Sequence, residues 1–189
     1  MAMTELDGDF IFLTFALTES ARALHAIEQV DLLAAVRVQV QPGVERREMQ
    51  SVFDHIRLAL QFSANVSKIF WPHQNAAARG QRLRKLANLP DRHALADRRL
   101  RNHIEHIDER LDDWTTPSPR PFLSTQMILH ADYPHGERRD EVINATAVVY
   151  DAQSNSVILF GDIFSLSDLR QAVLDVQGKC SEALTKAAA

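Results

Sequence analysis

Between Leu100 and Trp114 the chain reads LRNHIEHIDERLDDW, and its apolar residues Leu100, Ile104, Ile107, Leu111 and Trp114 recur at spacings of 4, 3, 4 and 3. That period belongs to a helix and not to a strand, so the stretch predicts an amphipathic helix with one apolar seam. Such a seam has to be buried, and the flanking segments offer the helices to bury it against.

Upstream, Leu13, Leu17, Ala21, Leu24 and Ile27 form a comparable stripe and predict a first helix, capped by Asp9 and running to about Val36. His25 sits beside that stripe and reads as a structural histidine. Val38 to Gly43, with Pro42 and Gly43, reads as a connection. A second helix follows from Val44 to Phe70, turning Met49, Phe53, Ile56, Leu60 and Phe70 inward. It ends at Trp71, because Pro72 pushes the residue before it out of the helical region. Asp54 and His55 adjoin its stripe; they could face the same interior as His106, but surface placement is the expectation. Ala77 to Leu89 predicts a short basic helix with Leu83 and Leu86 inward, and Arg92 to Trp114 the fourth helix. Four helices joined by short links imply a bundle.

At Thr115 the pattern changes. The run Thr115 to Pro121, TTPSPRP, cannot continue a helix and marks a boundary. Beyond it, 122–129, 143–150 and 156–160 read as strands, the last two a hairpin around Asp151 to Asn155. Ser165 with Asp168 resembles a capping box opening a last helix that carries Leu169, Val173, Val176, Cys180 and Leu184. The expectation is a mainly α protein: a four-helix bundle over 1–116, then a small antiparallel β element and a closing helix over 117–189. Two or three strands have no core of their own, so the second part is expected to pack on the first.

Composition narrows the chemistry. The single Cys180 excludes an intrachain disulfide and reads as a core thiol, and without a cysteine pair nothing suggests a structural zinc site. With six glycines and no phosphate-cradling loop, no cofactor is expected. The apolar run Phe10 to Leu17 follows Glu5, Asp7 and Asp9 instead of basic residues, so it reads as neither signal peptide nor membrane span, and a cytoplasmic protein is expected. The net charge of −4 is uneven. From Arg79 to Arg101 eight basic residues stand against Asp91 and Asp97, a net of +6, while the remainder carries −10. A segment of that sign can approach a phosphodiester, or it can be a solvated face.

The positive segment leads into Arg101-Asn102 and, four residues past Asn102, His106. Cleaving RNA without a metal needs a base for the 2′ hydroxyl and a cation for the phosphorane. Histidine is substantially neutral yet basic near pH 7, and arginine grips two phosphoryl oxygens without losing its charge. On a helix Asn102 and His106 lie about 40° apart, close enough for the amide to orient the ring, whereas Arg101 and His106 diverge by about 140°. One helix cannot present both to one phosphate; two such helices about a two-fold axis can.

The pattern Arg101-Asn102-x-x-x-His106, late in a helical bundle, resembles the signature of the HEPN superfamily (higher eukaryotes and prokaryotes nucleotide-binding domains) over roughly residues 9–116. The resemblance implies a metal-independent endoribonuclease, often a toxin or defence protein, that builds a composite site as a homodimer, with RNA as substrate and an antitoxin protein as one further partner. By it, His106 is the general base or acid, Arg101 stabilises the phosphorane and Asn102 orients. The strand-rich tail is not part of that helical domain.

Three other readings stay open. Arg101 could pair with Glu105 or Asp108 and His106 sit exposed beside Arg110, as surface residues do. His103 and His106, perhaps with Asp113, could hold a metal. The bundle could also be a non-catalytic binding module whose basic segment contacts a nucleic acid or an acidic partner.

Overall fold

A computed structural model describes residues 5–35, 44–116, 123–130 and 136–188. The connection expected at 38–43, most of the proline-rich run and the strand start at Phe122 fall outside them. Among the described residues there are seven α-helices and one four-stranded sheet near the C-terminus, followed by a closing helix, so the protein is mainly α. Two compact units interleave along the chain. The first comprises Met1–Ala26, Leu58–Arg101 and Asp168–Ala189; the second comprises Ile27–Arg57 and Asn102–Ser167.

The first unit is built from parts of α1 (Glu5–Ala35), α2 (Val44–Phe70) and α7 (Leu166–Ala188), with α3 (Ala77–Leu86) entire. On α1 the buried line is Asp9, Leu13, Ala16, Ser20 and Ala23, continuing in the second unit with Ile27 and Val30. Of the expected stripe, Leu13 and Ile27 are buried, Leu17 and Leu24 are half-buried, and Ala21 and His25 are exposed. The line runs through small and polar residues because Asp9, far from capping the helix, lies inside it. Its carboxylate accepts two hydrogen bonds from Arg82, at 2.7 and 2.9 Å. Buried Glu19 is likewise satisfied, by Arg22 and by Asn65 of α2. By length and apolar content Gly8–Ala35 is the one described helix able to cross a membrane.

The end of α2 falls where expected: Trp71 N still bonds Ser67 O, and Pro72 follows. On α3, Leu83 is fully buried whereas Leu86 is 43% exposed, not inward as its spacing suggested. On α7, Leu169, Val173, Val176 and Cys180 are buried and Leu184 half-buried, as the periodicity predicts.

The second unit holds the sheet. Its strands are β1 (Ser124–Leu129), β2 (Thr146–Asp151), β3 (Ser156–Leu159) and β4 (Asp162–Ser165), in that order across the sheet. The sheet is mixed, not antiparallel throughout: β1 pairs parallel to β2, while β2–β3 and β3–β4 are antiparallel. A parallel pair needs a crossover, and α6 (Glu137–Asn144) supplies it. The strand expected from Ile143 therefore begins at Thr146. Leu129, Val149 and Ile158 form a core with Met127, Val142 and Ile143 on the α6 side. The register puts Val148, Tyr150, Val157, Leu159, Asp162 and Phe164 on the opposite face. Between β3 and β4 only Phe160 and Gly161 intervene, with φ of 52° and 95°. Two successive positive φ values make the tight hairpin turn whose twist matches the strands.

The predicted fourth helix is broken in the structure. A 3₁₀ turn spans Ala94–Ala96, Asp97 is extended, α4 runs only from Arg99 to Glu105, and α5 from Ile107 to Thr115. Asp97 opens α4 by accepting from Arg99 N at 2.9 Å. His106 stands between the two helices at φ −124°, ψ 47°, which is not helical.

Candidate functional site

The arginines of the positive segment are the first residues to place. Arg79 donates to Lys68 O, Arg84 to Phe70 O, Arg98 to Pro72 O and Arg101 to Trp71 O. The last carbonyls of a helix lack partners within it and carry the negative end of its dipole. Four guanidinium groups thus satisfy the C-terminal end of α2 and the residues just after it. Arg82 is committed to Asp9, Arg84 also to Asp91, and Arg99 to Asp97. Burial would raise the Asp97 carboxyl, but the Arg99 amide and guanidinium outweigh it and hold it below its ordinary value. Six of the eight basic residues therefore bind their own chain, while Lys85 and Arg92 are exposed.

Trp71 is the hub of this end of the first unit. Its ring stacks on His93 with centroids 4.9 Å apart and planes within 8°, and its Nε1 donates to Asp91 O. His93 Nδ1 accepts from Leu95 N, which leaves the proton on Nε2, 3.3 Å from Asp175. Burial lowers the His93 pKa, and the Asp175 carboxylate opposes that only in part.

The motif residues separate accordingly. Arg101, 7% exposed, ends a segment of the first unit, whereas Asn102 opens one of the second. Asn102 is half-buried and meets His106 through the main chain, its carbonyl accepting from His106 N at 3.0 Å. His106 is exposed at the interhelical break, with Nδ1 3.4 Å from Glu109 Oε1. Arg110 is the main-chain neighbour of His106, its N donating to His106 O at 3.0 Å, while its guanidinium reaches Asp113 at 3.4 Å.

The seam that defined this stretch has an unexpected exposure. Trp114 is buried and Leu100 and Ile104 are half-buried, but Ile107 is 59% and Leu111 45% exposed. The seam is thus open at Ile107 and Leu111 of α5, directly after His106, and closes again at Trp114. The change falls at the break, between half-buried Ile104 and exposed Ile107.

His103, weighed in the sequence only as a metal ligand, proves to be the most enclosed polar side chain of α4 in the second unit. It is 5% exposed, its Nε2 lies 2.6 Å from Asp162 Oδ2, and it packs against Phe160 and Phe164. Among the described residues no three His, Cys, Asp or Glu side chains are placed to hold a metal. Asp54 is exposed, as expected, and half-buried His55 donates from Nδ1 to Ser51 O at 2.8 Å.

Elsewhere in the second unit, Arg139 and Asp151 form an ion pair with both side chains nearly enclosed. Burial alone would raise the Asp151 carboxyl; Arg139, Ser154 and the Gln153 amide together hold it below its ordinary value. Tyr150 donates to Asn155, and burial, with Asp31 and Asp151 nearby, pushes its phenol to about 12.

Comparison with known proteins finds no match: no family model, no curated protein and no solved structure matches this chain.

Proposed function

We propose that this protein is a metal-independent endoribonuclease of the HEPN type that works as a homodimer. The observation that carries the reading is the open apolar edge of α5, Ile107 and Leu111, immediately beside an exposed His106. Exposed leucine and isoleucine one turn apart on a helix favour a second apolar surface. The residues next to that edge would then meet their copies across a two-fold axis. His106 would act as the acid or base through Nε2 and Asn102 would support it. Arg101 would stabilise the phosphorane, a guanidinium binding a phosphoryl anion more strongly than the neutral carbonyl of Trp71 that it meets here. On this reading α1 is a core helix, since buried Asp9 and Glu19 hold cations of the same unit, and the protein acts in the cytoplasm.

One observation favours a second reading, a non-catalytic assembly module. Six arginines of the positive segment are spent on their own chain, and the charged neighbour of His106 is Glu109, at 3.4 Å, in a stretch that also carries Glu105, Asp108, Asp112 and Asp113, a local sign that repels phosphate. The test is sedimentation of wild type and Ile107→Glu with Leu111→Glu, alongside RNA cleavage by both. The nuclease reading expects a dimer that cuts and a folded monomeric variant that does not. A cutting monomer, or a dimer indifferent to both substitutions and inert toward RNA, rejects it.

A further inference from the structure

We infer that the β3–β4 hairpin is the positioning element for His106, acting through Asp162 and Phe160. This rests on the reading of His106 as the acid or base. His106 occupies a non-helical joint, and a joint left to itself would let the imidazole wander. The hairpin grips the segment on both sides of that joint. On the near side, three residues before His106, the Asp162 carboxylate accepts from His103 at 2.6 Å. Phe164 meets the same ring edge-on at 5.5 Å, and Phe160 lies nearly parallel to it at 6.1 Å. On the far side, eight residues after His106, Phe160 packs edge-to-face on Trp114 at 6.3 Å. One phenyl ring thus touches both flanks of the joint.

Phe160 can do so only from an unusual backbone. Its φ of 52° lies in the left-handed region, which a bulky side chain enters at a cost. Asparagine tolerates that conformation far better. An aromatic residue there is explained by what its ring touches and not by the turn. Asp162, next after Gly161, opens β4 on the sheet face that also carries Phe164, which is why one short strand delivers both contacts to His103. The strand-rich tail, absent from the usual helical domain of the resembling family, thereby gains a role at the motif.

The test uses the full chain as Asp162→Asn, Phe160→Asn and Phe160→Tyr. Asp162 is half-exposed and asparagine suits the turn at 160, so the sheet is expected to survive. Two readouts are taken together: amide hydrogen exchange along residues 103–108, and kcat and KM for RNA cleavage. A 1 Å misplacement costs about a hundredfold in rate. Asp162→Asn and Phe160→Asn should therefore speed exchange at 103–108 and lower kcat by about ten- to a hundredfold with KM little changed, while Phe160→Tyr, which keeps the ring, matches wild type. Unchanged exchange at 103–108 in both asparagine variants overturns the inference whatever the rates, and so does unchanged kcat alongside faster exchange. If wild type does not cut RNA at all, the nuclease reading falls, while exchange at 103–108 in the asparagine variants still decides whether the hairpin holds the joint at His106.

Discussion

The same substitution, glycine to alanine, should have opposite effects at two helical sites of this protein. At Gly80 in α3, a Cβ would lie 2.8 Å from Phe70 O and 2.9 Å from Pro72 Cγ, and closer still to Pro72 Cδ. None of these atoms can yield cheaply. Phe70 O is held by Arg84, and the proline ring sits next to Trp71, itself stacked on His93 and bonded to Asp91. Overpacking of this kind costs about 1 to 3 kcal/mol, and three close atoms of two rigid residues place Gly80→Ala at the upper end. The intrinsic helix gain of alanine over glycine returns about 1 kcal/mol, leaving a net loss of about 2 kcal/mol. In a chain of this length each kcal/mol moves Tm by roughly 2 to 4 °C, so a drop of about 4 to 8 °C is expected. At Gly178 in α7 a Cβ meets nothing within 4 Å. There only the helix gain operates, and Gly178→Ala should raise Tm by about 2 to 4 °C. Differential scanning calorimetry of the two variants decides it; a Gly80→Ala variant as stable as wild type would refute the packing of α3 against the end of α2.

Acid should weaken the fold in two steps. His93, lowered by burial from its ordinary 6.5, takes a proton more readily when unfolded, so stability declines as pH falls below about 6.5. Asp151, held low by its partners, adds a second decline below its ordinary carboxyl range. Denaturant titrations from pH 8 to 3 should show both, and His93→Gln should abolish the first. Asp151→Ala leaves Arg139 enclosed without its carboxylate and should cost about 3 to 5 kcal/mol, much of it recovered when Arg139→Met is added. Cys180 is fully buried, its thiol pushed up to about 12, so a thiol reagent at pH 8 should label it only after denaturation.

The helices were legible where apolar spacing decided them. The bounds of α2 follow from Phe53, Ile56, Leu60 and Phe70 and from Pro72, and α7 follows from Leu169, Val173, Val176 and Cys180. On α1 the spacing pointed to large residues while the buried line uses Ala16, Ser20 and Ala23, with Asp9 inside it; only the partner Arg82, seventy-three positions on, explains a buried aspartate. The crossover helix α6 was hidden because Val142 and Ile143 run on into the apolar strand after them, and its polar remainder has no helical stripe. The β3–β4 turn was hidden because Phe160 stands where asparagine or glycine signals such a turn. At the motif, Arg101, Asn102 and His106 could be named from the sequence, but not the break at His106. Local propensity favours helix throughout that stretch, and the contacts to Asp162 and Phe160 are some sixty residues distant. The basic segment could be counted but not assigned, since nothing local says that four of its arginines bind carbonyls at the end of α2 and just after it.

The proposed function is tested most directly by incubating purified protein with mixed RNA in EDTA, wild type beside His106→Ala of equal helical content. Cleavage by wild type with 2′,3′-cyclic phosphate ends, and none by the variant, is the expected result. Equal cleavage by both, or no cleavage by a folded wild type, would contradict it.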